Sequence, residues 1–202
     1  MKAIIFRKAG PGLFFLAAAA VVVLTGAARA DRVLRAELLL DAPVETVWKL
    51  WTTEEGVTSF FAPGCRIEPK VDGAYEIFFN PAGAPGEKGA EGMRIVAFEP
   101  NTRLAFTWNA PPTIPVIRAQ RAIVDVRFVA LGAARTKVVF THYGWGDGPD
   151  WDAAYAYFDK AWNTFVLPNL AWRVAHGPID WKKRPEVKPW TESLKLELVP
   201  KR

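Results

Sequence analysis

Between Arg135 and Ala175 the chain reads as a strand, a glycine-rich turn and one long aromatic helix. Thr136-Lys137-Val138-Val139-Phe140-Thr141-His142 is dense in β-branched and aromatic residues, with Val138, Phe140 and His142 in one alternating phase. Gly144-Trp145-Gly146-Asp147-Gly148-Pro149 breaks that pattern. From Asp150 to Ala175 the spacing turns helical: Trp151, Tyr155, Phe158, Trp162, Phe165 and Asn169 recur every three or four residues. So long an apolar stripe must be covered, and the rest of the chain offers short strands to cover it. The arrangement this predicts is a curved antiparallel sheet with the helix lying across it.

The two ends of the chain have other compositions. Lys2, Arg7 and Lys8 precede an apolar run from Leu13 to Leu24, and Ala28-Arg29-Ala30 closes it with small residues. This is the pattern of an export signal spanning residues 1–30, cleaved near Ala30 into a periplasmic or secreted protein. The run is short of the roughly 20 residues that a bilayer-crossing helix needs. Of the chain's 26 basic residues four lie in this segment, and none of its 21 acidic ones do. Residues 31–202 therefore carry 22 against 21, net +1. That removes the basic stripe a phosphate-reading protein needs, so nucleic acid is not an expected partner. Residues 177–202 form a Pro- and Lys-rich extension in which 181–190 reads as a linker and Leu194, Leu196 and Leu198 alternate like a strand that docks on a sheet edge. Cys65 is the only cysteine, so no internal disulfide can form, and it reads as a partly buried structural thiol.

In between, a strand from Asp31 to Leu40 leads to two short helices. Pro43 suits the first helical position, with Asp41 as the expected cap, and a second helix runs from Glu54 to Phe61. Strands are expected at about 65–70, 73–80, 91–99, 102–108, 119–131 and 135–142. Alternation puts Leu104, Phe106 and Trp108 on one face, and Val124, Val126 and Phe128 on another that points the same way. The predicted class is α+β, a helix-grip of six or seven antiparallel strands around a long C-terminal helix. Residues 31–176 are read as one domain.

Five motifs in this order also resemble a known family. Ala42-Pro43-Val44-Glu45-Thr46-Val47-Trp48 and Trp51-Thr52-Thr53-Glu54-Glu55-Gly56 are similar to its first helix and the turn after it. Val71-Asp72-Gly73-Ala74-Tyr75 and Glu99-Pro100-Asn101-Thr102-Arg103-Leu104-Ala105-Phe106-Thr107-Trp108 follow, and Thr141-His142-Tyr143-Gly144-Trp145 with Tyr157-Phe158-Asp159-Lys160-Ala161-Trp162 closes the series. Together they resemble the Hsp90-ATPase-activator-homologue-type domains of the START-like, or Bet v 1-like (SRPBCC), superfamily, over residues 33 to 176. The resemblance implies the helix-grip fold and a cavity between helix and sheet. It implies no single activity, because one fold hosts many.

The chemistry-bearing residues are few. His142 is the candidate acid or base if it points inward, against a plain strand-end role. Asp147, Asp150 and Asp152 suit helix capping better than a cation site. Pro168 is expected to remove a hydrogen bond and bend the long helix near Thr164 and Phe165. There is no Gly-rich phosphate loop, Cys/His metal spacing, Gly-x-Ser-x-Gly elbow or HExxH, so no cofactor or metal is expected. The leading expectation is a cavity for a small hydrophobic or amphipathic molecule, lined by Phe106, Trp108, Val126, Phe128, Phe140, His142, Tyr155, Phe158, Trp162, Phe165 and Asn169. His142 and Asn169 would orient its polar end. A polyketide cyclase- or dehydratase-like enzyme using His142, and a chaperone-regulator-like interaction module, are the alternatives.

Overall fold

The computed structural model describes residues 32–185. The expected export signal and the alternating leucines near the C-terminus lie outside the described residues. The elements are β1 (Leu34–Leu40), α1 (Val44–Thr52), α2 (Glu54–Thr58), β2 (Gly64–Ile67), β3 (Tyr75–Phe78), β4 (Gly89–Ala90), β5 (Ile95–Glu99), β6 (Arg103–Trp108), β7 (Ala122–Ala130) and β8 (Thr136–Tyr143). The long helix follows as α3 (Pro149–Ala161), a π turn (Trp162–Val166) and α4 (Leu167–His176). This is an α+β helix-grip.

The strands form an antiparallel five-stranded sheet in the order β1-β8-β7-β6-β5, and a smaller sheet in the order β2-β3-β4. A bridge between Ala74 and Arg94 connects them. Register follows the alternation in the sequence. Leu104 faces Val126 and Phe106 faces Val124 across β6 and β7, while Val126 faces Phe140 and Phe128 faces Val138 across β7 and β8. All of these side chains are buried. The other phase looks outward: Leu39 and Val129 are exposed, and Asp125 there takes the guanidinium of Arg103, with Nε donating to Oδ2 at 2.8 Å. Turns sit where their residues tolerate left-handed backbone. Asp72 and Asn101 adopt φ of 63° and 61°, conformations that short polar side chains accept more readily than most.

Against the inner face pack α1 and the segment after α2. Trp48 meets Phe98 and Phe128 edge-on at 5.0 and 5.4 Å. Trp51 meets Phe60 and Phe61 at 5.3 and 5.7 Å. Tyr75 stacks on Phe106 at 4.1 Å and donates its hydroxyl to the carbonyl of Trp51 at 3.0 Å, tying the small sheet to α1.

Three local expectations are corrected. Asp41 does not cap α1. Pro43 is itself the cap, no side chain bonds the first turn, and Asp41 pairs with Arg135 at 2.9 Å. The second helix stops at Thr58, short of Phe61: residues 59–61 form a turn in which Phe60 donates its backbone N–H to the carbonyl of Val57, three residues back. The long helix starts at a glycine cap: Gly148 has φ of 107°, Pro149 follows, and the cap residue itself has no side chain to bond the first turn. Asp150 and Asp152 lie in the first turn, where the helix dipole favours them, and Asp152 pairs with Arg32.

Gly56 marks the closest approach of α2 to α1. A Cβ there would meet the carbonyl oxygen of Lys49 at 2.2 Å and the Cα of Leu50 at 2.6 Å. Both are backbone atoms and cannot swing away. Gly56→Ala is therefore expected to destabilise the fold by about 1–3 kcal/mol despite alanine's better helix propensity, as chemical denaturation will measure.

Candidate functional site

The long helix is the wall of the site, and its middle departs from α geometry. Leu167 donates its backbone N–H to the carbonyl of Trp162, five residues back. Pro168, one residue on, has no N–H to offer Thr164, and the helix meets that gap with a π turn. One extra residue in the turn moves the stripe. Trp151, Ala154, Phe158 and Trp162 point into the core before it; Val166, Leu167, Asn169 and Leu170 do so after it. Phe165, in phase with Trp162 in a regular helix, is turned to the flank and only partly buried.

Trp162 sits at the centre. Its ring lies against Phe140 at 4.6 Å, Trp108 at 5.5 Å and Phe61 at 5.7 Å. Its Nε1 donates to Nδ1 of His142 at 3.0 Å. That bond assigns the imidazole proton to Nε2, a buried atom without a partner among the described residues. Trp145 at 4.1 Å and Phe158 at 5.2 Å enclose the ring. With no water to solvate the imidazolium, burial lowers the His142 pKa from 6.5 to about 3. His142 is thus a neutral acceptor that anchors the helix to β8.

A groove of about 650 Å³ runs along the flank of this helix. Phe61, Pro63 and Phe79 form one side, Tyr157, Ala161, Thr164 and Phe165 the other, and Trp108, Phe158 and Trp162 are its base. Trp181 and Arg184 close one end. At the other a hollow of about 150 Å³ shares Phe79, Trp108, Tyr157 and Phe158 and adds Glu87, Lys88, Asn109 and Arg118. Arg118 ties that end together. Its Nη2 donates to the carbonyls of Gly86 and Gly89, both at 2.7 Å, and its Nη1 to that of Ala110. The β3–β4 hairpin and the proline-rich loop after β6 are joined through this one guanidinium.

Of the residues expected to line a cavity, Trp108, Phe158, Trp162 and Phe165 line this groove. Phe106, Val126, Phe128 and Phe140 are packed in the core. Tyr155 lies under the guanidinium of Arg32 at 5.4 Å and against Trp145. His142 and Asn169 are turned to internal bonds: Asn169 donates Nδ2 to the carbonyl of Phe60 at 3.0 Å. Phe61, Phe79, Tyr157, Trp181 and Arg184 were not anticipated. Tyr157 is off the helical stripe, and the others are on segments distant in sequence. Among the described residues no cluster of His, Cys, Asp or Glu could hold a metal ion. Cys65 is half-buried, its Sγ 3.7 Å from the carbonyl of Glu54, and burial raises its pKa to about 12, which leaves it an unreactive thiol.

Because His142 is neutral when folded and takes a proton readily when unfolded, its contribution to stability is complete above pH 6.5. It is lost as pH falls from 6.5 toward 3, at about 1.4 kcal/mol per pH unit. His142→Phe is expected to lower stability at pH 7 by about 1–3 kcal/mol, since it strands the Trp162 N–H. The same variant should lose less stability than the unmutated protein between pH 6.5 and 4.5, as parallel denaturation series at each pH will measure.

The fold has relatives among solved structures. A protein from Mesorhizobium loti, MLL2253, is 20% identical with a TM-score of 0.57, over 73% of this chain and all of that one. An Hsp90 activator from Plasmodium falciparum is 15% identical, TM-score 0.53, over 72% of this chain and 96% of that one. The Aha1 dimer from Colwellia psychrerythraea is 17% identical, TM-score 0.54, over 72% and 98%. At such identities the likeness speaks for the fold alone. No curated protein sequence matches this chain. The family model described as "Activator of Hsp90 ATPase homolog 1-like protein" matches residues 41–175, from the turn before α1 to the last turn of α4. The chain belongs to that family.

Proposed function

We propose that this protein binds a small, elongated hydrophobic or amphipathic molecule in the groove beside the π turn. The observation that carries the reading is the groove's lining: some 650 Å³ walled by aromatic side chains with only a few polar groups. That volume is within the roughly 300–1,000 Å³ typical of small-molecule sites, and the pattern of lining is the usual one. Binding would be driven by removing apolar surface from water, at about 25 cal/mol per Å². Phe165 and Trp108 would contribute flat apolar faces and Tyr157 a face with a polar edge. The segment read as an export signal would put this binding outside the cytoplasm.

The other two readings have less support. A cyclase- or dehydratase-like enzyme would need His142 in contact with its substrate, but His142 is not in the groove lining, and its Nδ1 is held by Trp162. An interaction role like that of an Hsp90 activator rests on fold likeness, which does not carry a partner.

Native mass spectrometry of residues 31–202 purified from the export compartment, followed by denaturation and small-molecule identification, tests the proposal. A stoichiometric lipid-like or polyketide-like mass is expected. A clean mass that no hydrophobic ligand changes would overturn it. Phe165→Ala, at a partly buried position on the flank, is expected to preserve the fold and weaken ligand binding about tenfold, the equivalent of ~1.4 kcal/mol, as a fluorescence titration will measure.

A further inference from the structure

The charges of the groove are of one sign. Its lining contains Lys160 and Arg184 and no aspartate or glutamate. Arg184 in particular is arranged rather than loose. Its guanidinium lies over the ring of Phe165, 3.7 Å from the centroid, and its Nη2 donates to Oδ1 of Asn169 at 3.4 Å. Among the described residues it has no carboxylate partner, and a single long hydrogen bond uses one of its five N–H donors. Most arginines near carboxylates in this chain pair with them, as Arg103 does with Asp125 and Arg135 with Asp41.

The backbone that carries Arg184 is fastened to the domain. Ile179 is buried and donates its N–H to the carbonyl of Ser59 at 2.9 Å. Trp181 donates Nε1 to the carbonyl of Thr58 at 2.6 Å and stacks on Phe165. A planar, multi-donor cation is thereby held at the mouth of an apolar groove, the geometry that suits a carboxylate or phosphate.

Resting on the groove reading above, we propose that the ligand is a single-chain amphiphile with an anionic head, the head bonded by Arg184 and the chain laid over Phe165 and Trp162 toward Trp108. Charge complementarity selects this occupant. An uncharged hydrophobe would leave Arg184 without an anion, and a cationic one would be repelled by both Arg184 and Lys160. Arg184 lies outside the part of the chain that the family model matches, residues 41–175.

The test compares laurate, dodecyl phosphate and dodecanol, below their aggregation limits, by calorimetry or tryptophan fluorescence on residues 31–202. The anionic ligands are expected to bind about fivefold more tightly than dodecanol, as for a partly exposed ion pair. Arg184→Gln should abolish that preference, so that the variant binds the anionic ligands no more tightly than it binds dodecanol. Lys182→Gln, a charge removed outside the groove lining, should retain it. Whichever anion binds more tightly identifies the head as carboxylate or phosphate. Equal binding of all three, or equal losses in the two variants, would overturn the anionic head while leaving the groove as a hydrophobic site. Failure of all three to bind would overturn the groove reading and this inference with it.

Discussion

The hydrogen bond from Trp162 to His142 is the contact on which the interior depends. An indole N–H buried among Phe61, Trp108, Phe140 and Phe158 would cost about 1–3 kcal/mol if it found no acceptor. Aromatic faces tolerate sliding and rotation, but this bond does not. It sets which side of the long helix meets β8, and where along β8 it does so. The same bond makes the imidazole an acceptor at Nδ1, and burial keeps it neutral. A residue whose chemistry could serve catalysis is thereby used as a fixed point of the fold.

The π turn beside it converts one aromatic stripe into two surfaces. Up to Trp162 the stripe is core. After the extra residue, Val166 and Leu170 continue the core while Phe165 is displaced to the flank. Pro168 is the local reason, since it removes the N–H that a regular helix would return to Thr164. The groove is the result: Phe165 and Tyr157 provide one wall, and the other comes from Phe61 after α2 and from Phe79 after β3. Single-turn π bulges are frequent at functional sites, and here the bulge is what gives the flank its aromatic surface.

The family match and the site do not share the same limits. Residues 41–175 account for most of the sheet and for the helices. The end of the groove is made by Trp181 and Arg184, which follow Gly177 and are held by backbone carbonyls of α2 and the residue after it. One end of the groove is thus built by a segment outside the family match.

Local order was legible in the sequence wherever a short-range rule governs it. The two-residue period of 123–129 and 136–142 set which side chains are buried, and Asn101 and Asp72 adopt positive φ, which their side chains tolerate. Pro168 announced a defect in the helix within a few residues of the π turn. Caps were less legible: Asp41 and the aspartates near Gly148 are suitable in type, yet Arg135 and Arg32 draw Asp41 and Asp152 into pairs that only the folded chain brings near. The groove was beyond reach for the same reason. Phe61, Phe79, Phe165 and Trp181 come from four separate segments, and no periodicity within one segment can say that they meet. Sequence by itself thus determined the strands of the larger sheet, their inward faces and the α+β class, because these follow from spacing along the chain. The tertiary structure decided which inward residues fill the core and which are left to line a site, because that depends on contacts between segments and on a helix phase reset by a single extra residue.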